Sequence, residues 1–226
     1  MLLECKNIRK AYDGETILAG IDFTLAPGES VALVGASGEG KSTLLSILGL
    51  LLVPSAGTVL VGERDTADLD DGALSALRAE TFGFVFQHNQ LIGSLRAIDN
   101  VLVPSCFAYQ GDCSEHAVEL MERFGLKNRL YHYPHQLSVG QKRRVALARA
   151  LLLSPAVLIA DEPTNDLDSA TGRVVMDTLI GFPDESHAVL YATHDLACAR
   201  RADRIMRLCD GDLVEVSASE LEKEMQ

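Results

Sequence analysis

At 226 residues, 47% hydrophobic and 23% charged, the chain has the apolar mass for one sizeable core, in one or two lobes. A net charge of −12 and a pI of about 4.9 disfavour nucleic acid as a main partner, because phosphate backbones are bound by clustered Lys and Arg. No apolar run approaches the length of about 18 residues that suggests a membrane span, and Met1-Leu2-Leu3-Glu4-Cys5-Lys6 lacks the basic-then-apolar build of a signal peptide.

The elements follow in chain order. Residues 3–8 and 16–25 read as strands, with Asp13-Gly14 between them and Pro27-Gly28 after them. Val31-Ala32-Leu33-Val34 reads as a buried strand and Thr43-Leu44-Leu45-Ser46-Ile47-Leu48 as a helix. Pro54-Ser55-Ala56-Gly57 reads as a turn, 58–61 as a short strand and Phe82-Gly83-Phe84-Val85-Phe86 as a buried one. Between 87 and 136 the character changes. Ala117, Leu120, Met121 and Phe124 fall on one helical face that ends at Gly125, and the segment reads as a mostly helical insertion between two halves of a sheet domain. Helix 145–153 stops at Ser154-Pro155. Strand 156–160, helix 169–180, strand 188–192 and helix 196–201 then alternate, which implies a parallel sheet with helices on its faces. Strands 204–208 and 213–216 flank Asp210-Gly211, a hairpin signal, and Ser217 with Glu220 makes a capping box.

Five scattered cysteines, Cys5, Cys106, Cys113, Cys198 and Cys209, form no CxxC pair and read as reduced cytosolic thiols. Basic clusters at Lys142-Arg143-Arg144 and Arg200-Arg201 read as helix faces or partner contacts.

Residues 35–43 read Gly-Ala-Ser-Gly-Glu-Gly-Lys-Ser-Thr, the phosphate-loop pattern in its strand–loop–helix setting. Gly35, Gly38 and Gly40 let the backbone curl and aim its N–H groups at phosphate oxygens. The helix N-terminus adds partial positive charge. Lys41 reaches toward the β- and γ-phosphates, and the Ser42 hydroxyl is a Mg²⁺ ligand in this pattern. Ala36, Ser37, Glu39 and Thr43 complete the loop as nucleotide contacts. Farther on, the apolar run Val157-Leu158-Ile159-Ala160 ends in Asp161-Glu162. Beside a phosphate loop, such an Asp helps hold Mg²⁺ and the adjacent Glu is placed to polarise the attacking water.

Leu137-Ser138-Val139-Gly140-Gln141 resembles the LSGGQ signature of ATP-binding cassette proteins, and the other motifs of that family follow in order. Tyr12, 23 residues before Gly35, matches the aromatic that stacks on adenine. Gln87 matches the Q-loop glutamine, which reaches Mg²⁺ and reports to the membrane partner. Asn165-Asp166-Leu167-Asp168 occupies the D-loop, and His194 in Ala192-Thr193-His194-Asp195 matches the switch histidine at the γ-phosphate. A finer resemblance, carried by Gly83-Phe84-Val85-Phe86-Gln87, Asp99-Asn100-Val101-Leu102-Val103-Pro104 and Ala160-Asp161-Glu162-Pro163-Thr164, is to bacterial macrolide-export, lipoprotein-release and cell-division ATPases.

The resemblance implies an α/β phosphate-loop NTPase. Its core sheet is expected to be mostly parallel, with an N-terminal antiparallel β subdomain and a helical insertion. The chain is then one nucleotide-binding domain, 1–226, with a sheet core at 1–86 and 137–226 and the Q-loop and helical part at about 87–136. It implies an ATPase with ATP as substrate and Mg²⁺ as cofactor. Glu162 and His194 are its catalytic candidates, and Ser42, Gln87 and Asp161 its metal ligands. Two copies are expected to face head to tail, with Ser138, Val139, Gly140, Gln141 and Asp168 reaching the ATP of the other copy. A separate transmembrane permease is expected to dock on 88–95 and the helical insertion, which places the chain on the inner face of the cell membrane. A DNA-repair cassette is disfavoured because Lys41 and Asp161 stand only 120 residues apart, with no heptad run between them. A translation cassette is disfavoured because a second cassette and a basic surface are missing.

Two departures stand out. Val139 replaces the first signature glycine, and a β-branched residue tolerates positive φ poorly. Asn165 and Asp166 stand where this group often has Gly and Asn.

Overall fold

A computed structural model describes residues 1–108 and 111–224. The N-terminal third forms an antiparallel sheet from β1 (Leu3–Tyr12), β2 (Glu15–Leu25), β4 (Ala56–Val61) and the short β5 (Arg64–Asp65), in the order β2-β1-β4-β5. The larger sheet takes β3 (Ser30–Val34), β6 (Phe82–Val85), β7 (Val157–Asp161), β8 (Ala188–Ala192), β9 (Arg204–Cys209) and β10 (Asp212–Glu215). Its order is β10-β9-β3-β8-β7-β6, parallel except for the β9–β10 hairpin. All residues of β3 and β8 are buried, as strands covered on both faces require.

Helix α1 (Lys41–Leu48) packs with the antiparallel sheet on one face of the large sheet, in a core built around Leu3, Leu33, Ile47 and Leu190. The other face is covered by α3 (Ala97–Leu102), α4 (Ser114–Arg123), α5 (Val139–Leu151) and α6 (Ser169–Ile180), with Met121, Leu147, Val175 and Tyr191 in a second core. Helices α7 (Leu196–Ala199) and α8 (Ala218–Glu224) complete that side, and the expected capping contacts of Ser217 with Glu220 form. The Ala19 N–H donates to the Gly211 carbonyl at 2.9 Å, tying β2 to the β9–β10 turn.

The α/β architecture matches the expectation, with differences that have local causes. Helix α2 (Asp71–Thr81) had no counterpart in the sequence reading; the Asp70 carboxylate caps it on the Ala73 N–H at 2.8 Å, but Leu77 is its only buried residue, so its apolar stripe is thin. Residues 56–57 belong to β4 and not to a turn. Gly57, at φ +90°, passes so close to the Asn7 carbonyl that only glycine fits, and the β1–β4 register shifts between Lys6 and Arg9. Helix α5 starts six residues earlier than expected, at Val139, because Ser138 caps it.

Candidate active site

The ends of β3, β7 and β8 open on one polar cavity of about 520 Å³. Its lining takes Ser37, Gly38, Gly40, Lys41, Ser42 and Thr43 from the phosphate loop and α1. It adds Gln87 after β6, Asp161 at the end of β7, Glu162 and Asn165 after it, and His194 after β8. Neighbouring parallel strands deliver these groups together although they lie up to 157 residues apart in sequence, from Ser37 to His194.

The loop's shape follows from its glycines and its lysine. Gly40 has φ +96°, and a Cβ there would stand 2.6 Å from Ile17 Cγ2, so both backbone and space demand glycine. Lys41 is buried, and its Nζ donates to the Gly35 and Ala36 carbonyls, each at 2.8 Å. The ammonium thus lies folded across the loop. Glu39 accepts from the Ala36 N–H at 3.1 Å and braces the same turn.

Across the cavity, the Glu162 side chain is 13% exposed and that of His194 67%. His194 Nδ1 lies 2.8 Å from Glu162 Oε2. The Glu162 backbone has φ +45° and donates to the Ala192 carbonyl at 3.0 Å, so the end of β8 holds this acid in the left-handed region. A non-glycine residue there costs about 1–2 kcal/mol, and such strain persists where the surroundings over-determine it. Ser42, Gln87 and Asp161 bring a hydroxyl, an amide and a carboxylate to the lining of the cavity. These are hard oxygen donors of the kind Mg²⁺ takes, and Mg²⁺ is usually held by one or two carboxylates plus phosphate oxygens.

The other expected site residues lie outside this cavity's lining. Tyr12 is exposed at the end of β1, with Lys10 Nζ 5.1 Å from its ring centroid. Ser138 caps α5: its hydroxyl accepts from the Gln141 N–H at 3.2 Å, and the Gln141 side chain accepts from the Ser138 N–H at 3.0 Å. Val139 is the first helical residue, half exposed and without positive φ. Gly140 follows it and packs on α6, where a Cβ would stand 3.0 Å from Thr171 Oγ1. Asp168 caps α6, accepting from the Ala170 and Thr171 N–H groups and from the Thr171 hydroxyl, and these hydrogen bonds hold its carboxyl below the usual range.

Sequence reasoning missed three residues. Asn165 lines the cavity, and its place in the D-loop was the available signal. Arg143 is buried and donates to the Phe86 and Gln87 carbonyls at 2.5 and 2.7 Å; Arg149 donates to the Gln90 and Asn89 carbonyls at 2.8 and 3.0 Å. The basic cluster therefore faces inward at residue 143. All five cysteines are free thiols, and burial pushes Cys5 up to about 12.

A polar cavity at the C-terminal ends of parallel strands, floored by a phosphate loop and walled by an Asp-Glu pair, defines a phosphate-loop nucleotide hydrolase. Residues 18–165 match the family described as ABC transporter, and the chain belongs to that family. It is an ABC ATPase domain, of the ATP-hydrolysing kind. The macrolide export ATP-binding/permease protein MacB 1 of Aeromonas hydrophila is 48% identical over 219 residues, 94% of this chain. The pyoverdine export ATP-binding/permease protein PvdT of Pseudomonas entomophila is 45% identical over 225 residues, 96% of this chain. The chain spans about a third, 34%, of the length of each. Among solved structures, a dimeric post-hydrolysis state of the ATP-binding cassette MJ0796 bound to ADP and Pi superposes with a TM-score of 0.89 at 38% identity, covering 96% of this chain and 98% of that one.

Proposed function

We propose that the chain is the ATP-hydrolysing subunit of a bacterial export-type ABC transporter and drives a separate transmembrane permease. The reading treats 1–226 as one nucleotide-binding domain with its Q-loop and helical part at about 87–136. The observation that carries it is the meeting of the phosphate loop, Asp161-Glu162 and His194 around one cavity. ATP binds with its phosphates on the loop N–H groups and Lys41, and with its base against Tyr12. Ser42, Asp161 and Gln87 would hold Mg²⁺, which would supply charge neutralisation for the nucleotide phosphates. Glu162 takes the proton of the attacking water, and His194, 2.8 Å from it, keeps that carboxylate aimed and contacts the γ-phosphate side.

Two copies sandwich the nucleotide head to tail, and Ser138, Val139, Gly140, Gln141 and Asp168 of each face the ATP of the other. The dimeric state of the MJ0796 cassette supports this arrangement. A permease as partner is supported by the names of the relatives, which join ATP-binding and permease parts in one protein, and by a groove of about 440 Å³ whose walls include Phe84, Phe86, Gln90, Val103, Phe107 and Leu153. Among the described residues no helix is long and apolar enough to cross a membrane. The proposal places the cassette against the permease on the inner face of the cell membrane. The second reading, a regulatory cassette of the cell-division type that moves no solute, differs in the partner and not in the site.

The test is Mg²⁺-dependent phosphate release by the wild type against Glu162→Gln. The variant is expected to bind ATP while turnover falls by about 10²–10⁴-fold. Turnover near the wild-type level in the variant would remove Glu162 from the role.

A further inference from the structure

Between β6 and α3 the backbone at residues 86–90 runs without regular secondary structure, yet it connects two surfaces. Gln87 stands at the nucleotide cavity, while Phe86 and Gln90 form part of the apolar groove. Two guanidinium forks from α5 hold the segment. Arg143 takes the carbonyls of Phe86 and Gln87, and Arg149 those of Asn89 and Gln90. Gln90 has φ +46°, a conformation that persists only under such external constraint. Arg149 itself lines the groove, and the helix that carries both arginines begins at the Ser138 cap.

We propose that Arg143 and Arg149 are positioning residues that fix the 86–90 backbone, so that Gln87 is presented to the nucleotide site in register with the groove wall. Helix α5 then couples three places: the capped N-terminus that faces the second copy, the nucleotide cavity and the groove. This rests on the ATPase reading given above. Arginine suits the role because its planar fork binds two carbonyls at once and stays charged when buried, where lysine offers a point charge. Burial pushes the Arg143 guanidinium down, and the Asp166 carboxylate works in the opposite direction.

The experiment compares Arg143→Gln in the wild-type and Gln87→Ala backgrounds of the full chain, by steady-state phosphate release and titration with a fluorescent ATP analogue. If Arg143 acts through Gln87, Arg143→Gln lowers kcat by roughly tenfold or more with nucleotide affinity kept within about twofold, and has less than about a twofold further effect in the Gln87→Ala background. Equal losses in both backgrounds, or an unchanged kcat, overturn the proposal. Hydrogen exchange of residues 86–90 in Arg149→Lys and Arg149→Gln, without nucleotide, supplies the second arm. Faster exchange confined to that segment supports the clamp, and unchanged exchange overturns it. This arm reads the clamp even where Arg143→Gln fails to fold. Absence of ATP hydrolysis by the wild type would instead strike the ATPase reading and leave the exchange result standing.

Discussion

Replacing Val139 by glycine restores the signature residue, and the structure sets the size of the effect. Val139 occupies the first position of α5, is 50% exposed, and has no positive φ that would call for glycine. Full burial of a valine is worth about 1.5–3 kcal/mol, so removing this half-covered side chain costs roughly 0.8–1.5 kcal/mol. Glycine adds a few tenths through its lower helix propensity. At about 2–4 °C per kcal/mol for a chain of this size, Tm is expected to fall by roughly 2–7 °C. The capping box of Ser138 and Gln141 is made by groups that the substitution leaves in place. Steady-state phosphate release is therefore expected to change by less than about tenfold, or about 1.4 kcal/mol in the barrier. The assay pairs that rate, measured with the partner subunit present, with a thermal melt. A rise of a hundredfold or more would refute the reasoning, because it would mean that the natural valine impairs the signature despite its helical backbone.

Tyr12→Ala is expected to weaken ATP binding while Tyr12→Phe stays close to wild type, since a ring face and not the hydroxyl does the stacking; equal affinities of all three in a nucleotide titration would count against it. Gly40→Ala forces a Cβ to 2.6 Å from Ile17 Cγ2 at φ +96°, so nucleotide binding is expected to drop at least tenfold, and binding at the wild-type level would show that the loop has another resting shape. Phe107→Glu changes a side chain that is 73% exposed on the groove, so stability is expected to shift by less than about 0.5 kcal/mol while co-purification with the permease is lost. Leu91 is a poorer probe because it packs partly on the core, and full recovery of the permease with Phe107→Glu would move the docking surface elsewhere.

What the sequence made legible was what local patterns encode. The phosphate loop, Asp161-Glu162 and His194 each follow an apolar strand, so period and motif identify them together, and the sheet then brings them to one cavity. Helix α2 escaped because a single buried leucine leaves almost no periodic signal. The bulge at Gly57 reads as a turn because its cause, the Asn7 carbonyl, sits on another strand. Arg143 and Arg149 were invisible in their role because they bind backbone carbonyls 56–60 positions away, and any residue type can present a carbonyl. The sign of φ at Val139 likewise depended on where the helix begins.

That last point bears on why one signature position admits a side chain and its neighbour does not. Ser138 and Asp168 each spend their side-chain oxygens on the first turn of a helix, α5 and α6 respectively. Gly140 and Thr171 bring those two first turns into contact, and the Thr171 hydroxyl donates to Asp168 at 2.7 Å. The side chain at position 139 is half exposed, whereas one at 140 would crowd Thr171. Two adjacent helix N-termini present partial positive charge on one surface, which suits a triphosphate brought by a second copy. The groups proposed to meet that phosphate therefore serve first as caps inside their own chain. Valine at 139 leaves both caps and the α5–α6 contact unaltered, and the substitution that would disturb them is the neighbouring one, at Gly140.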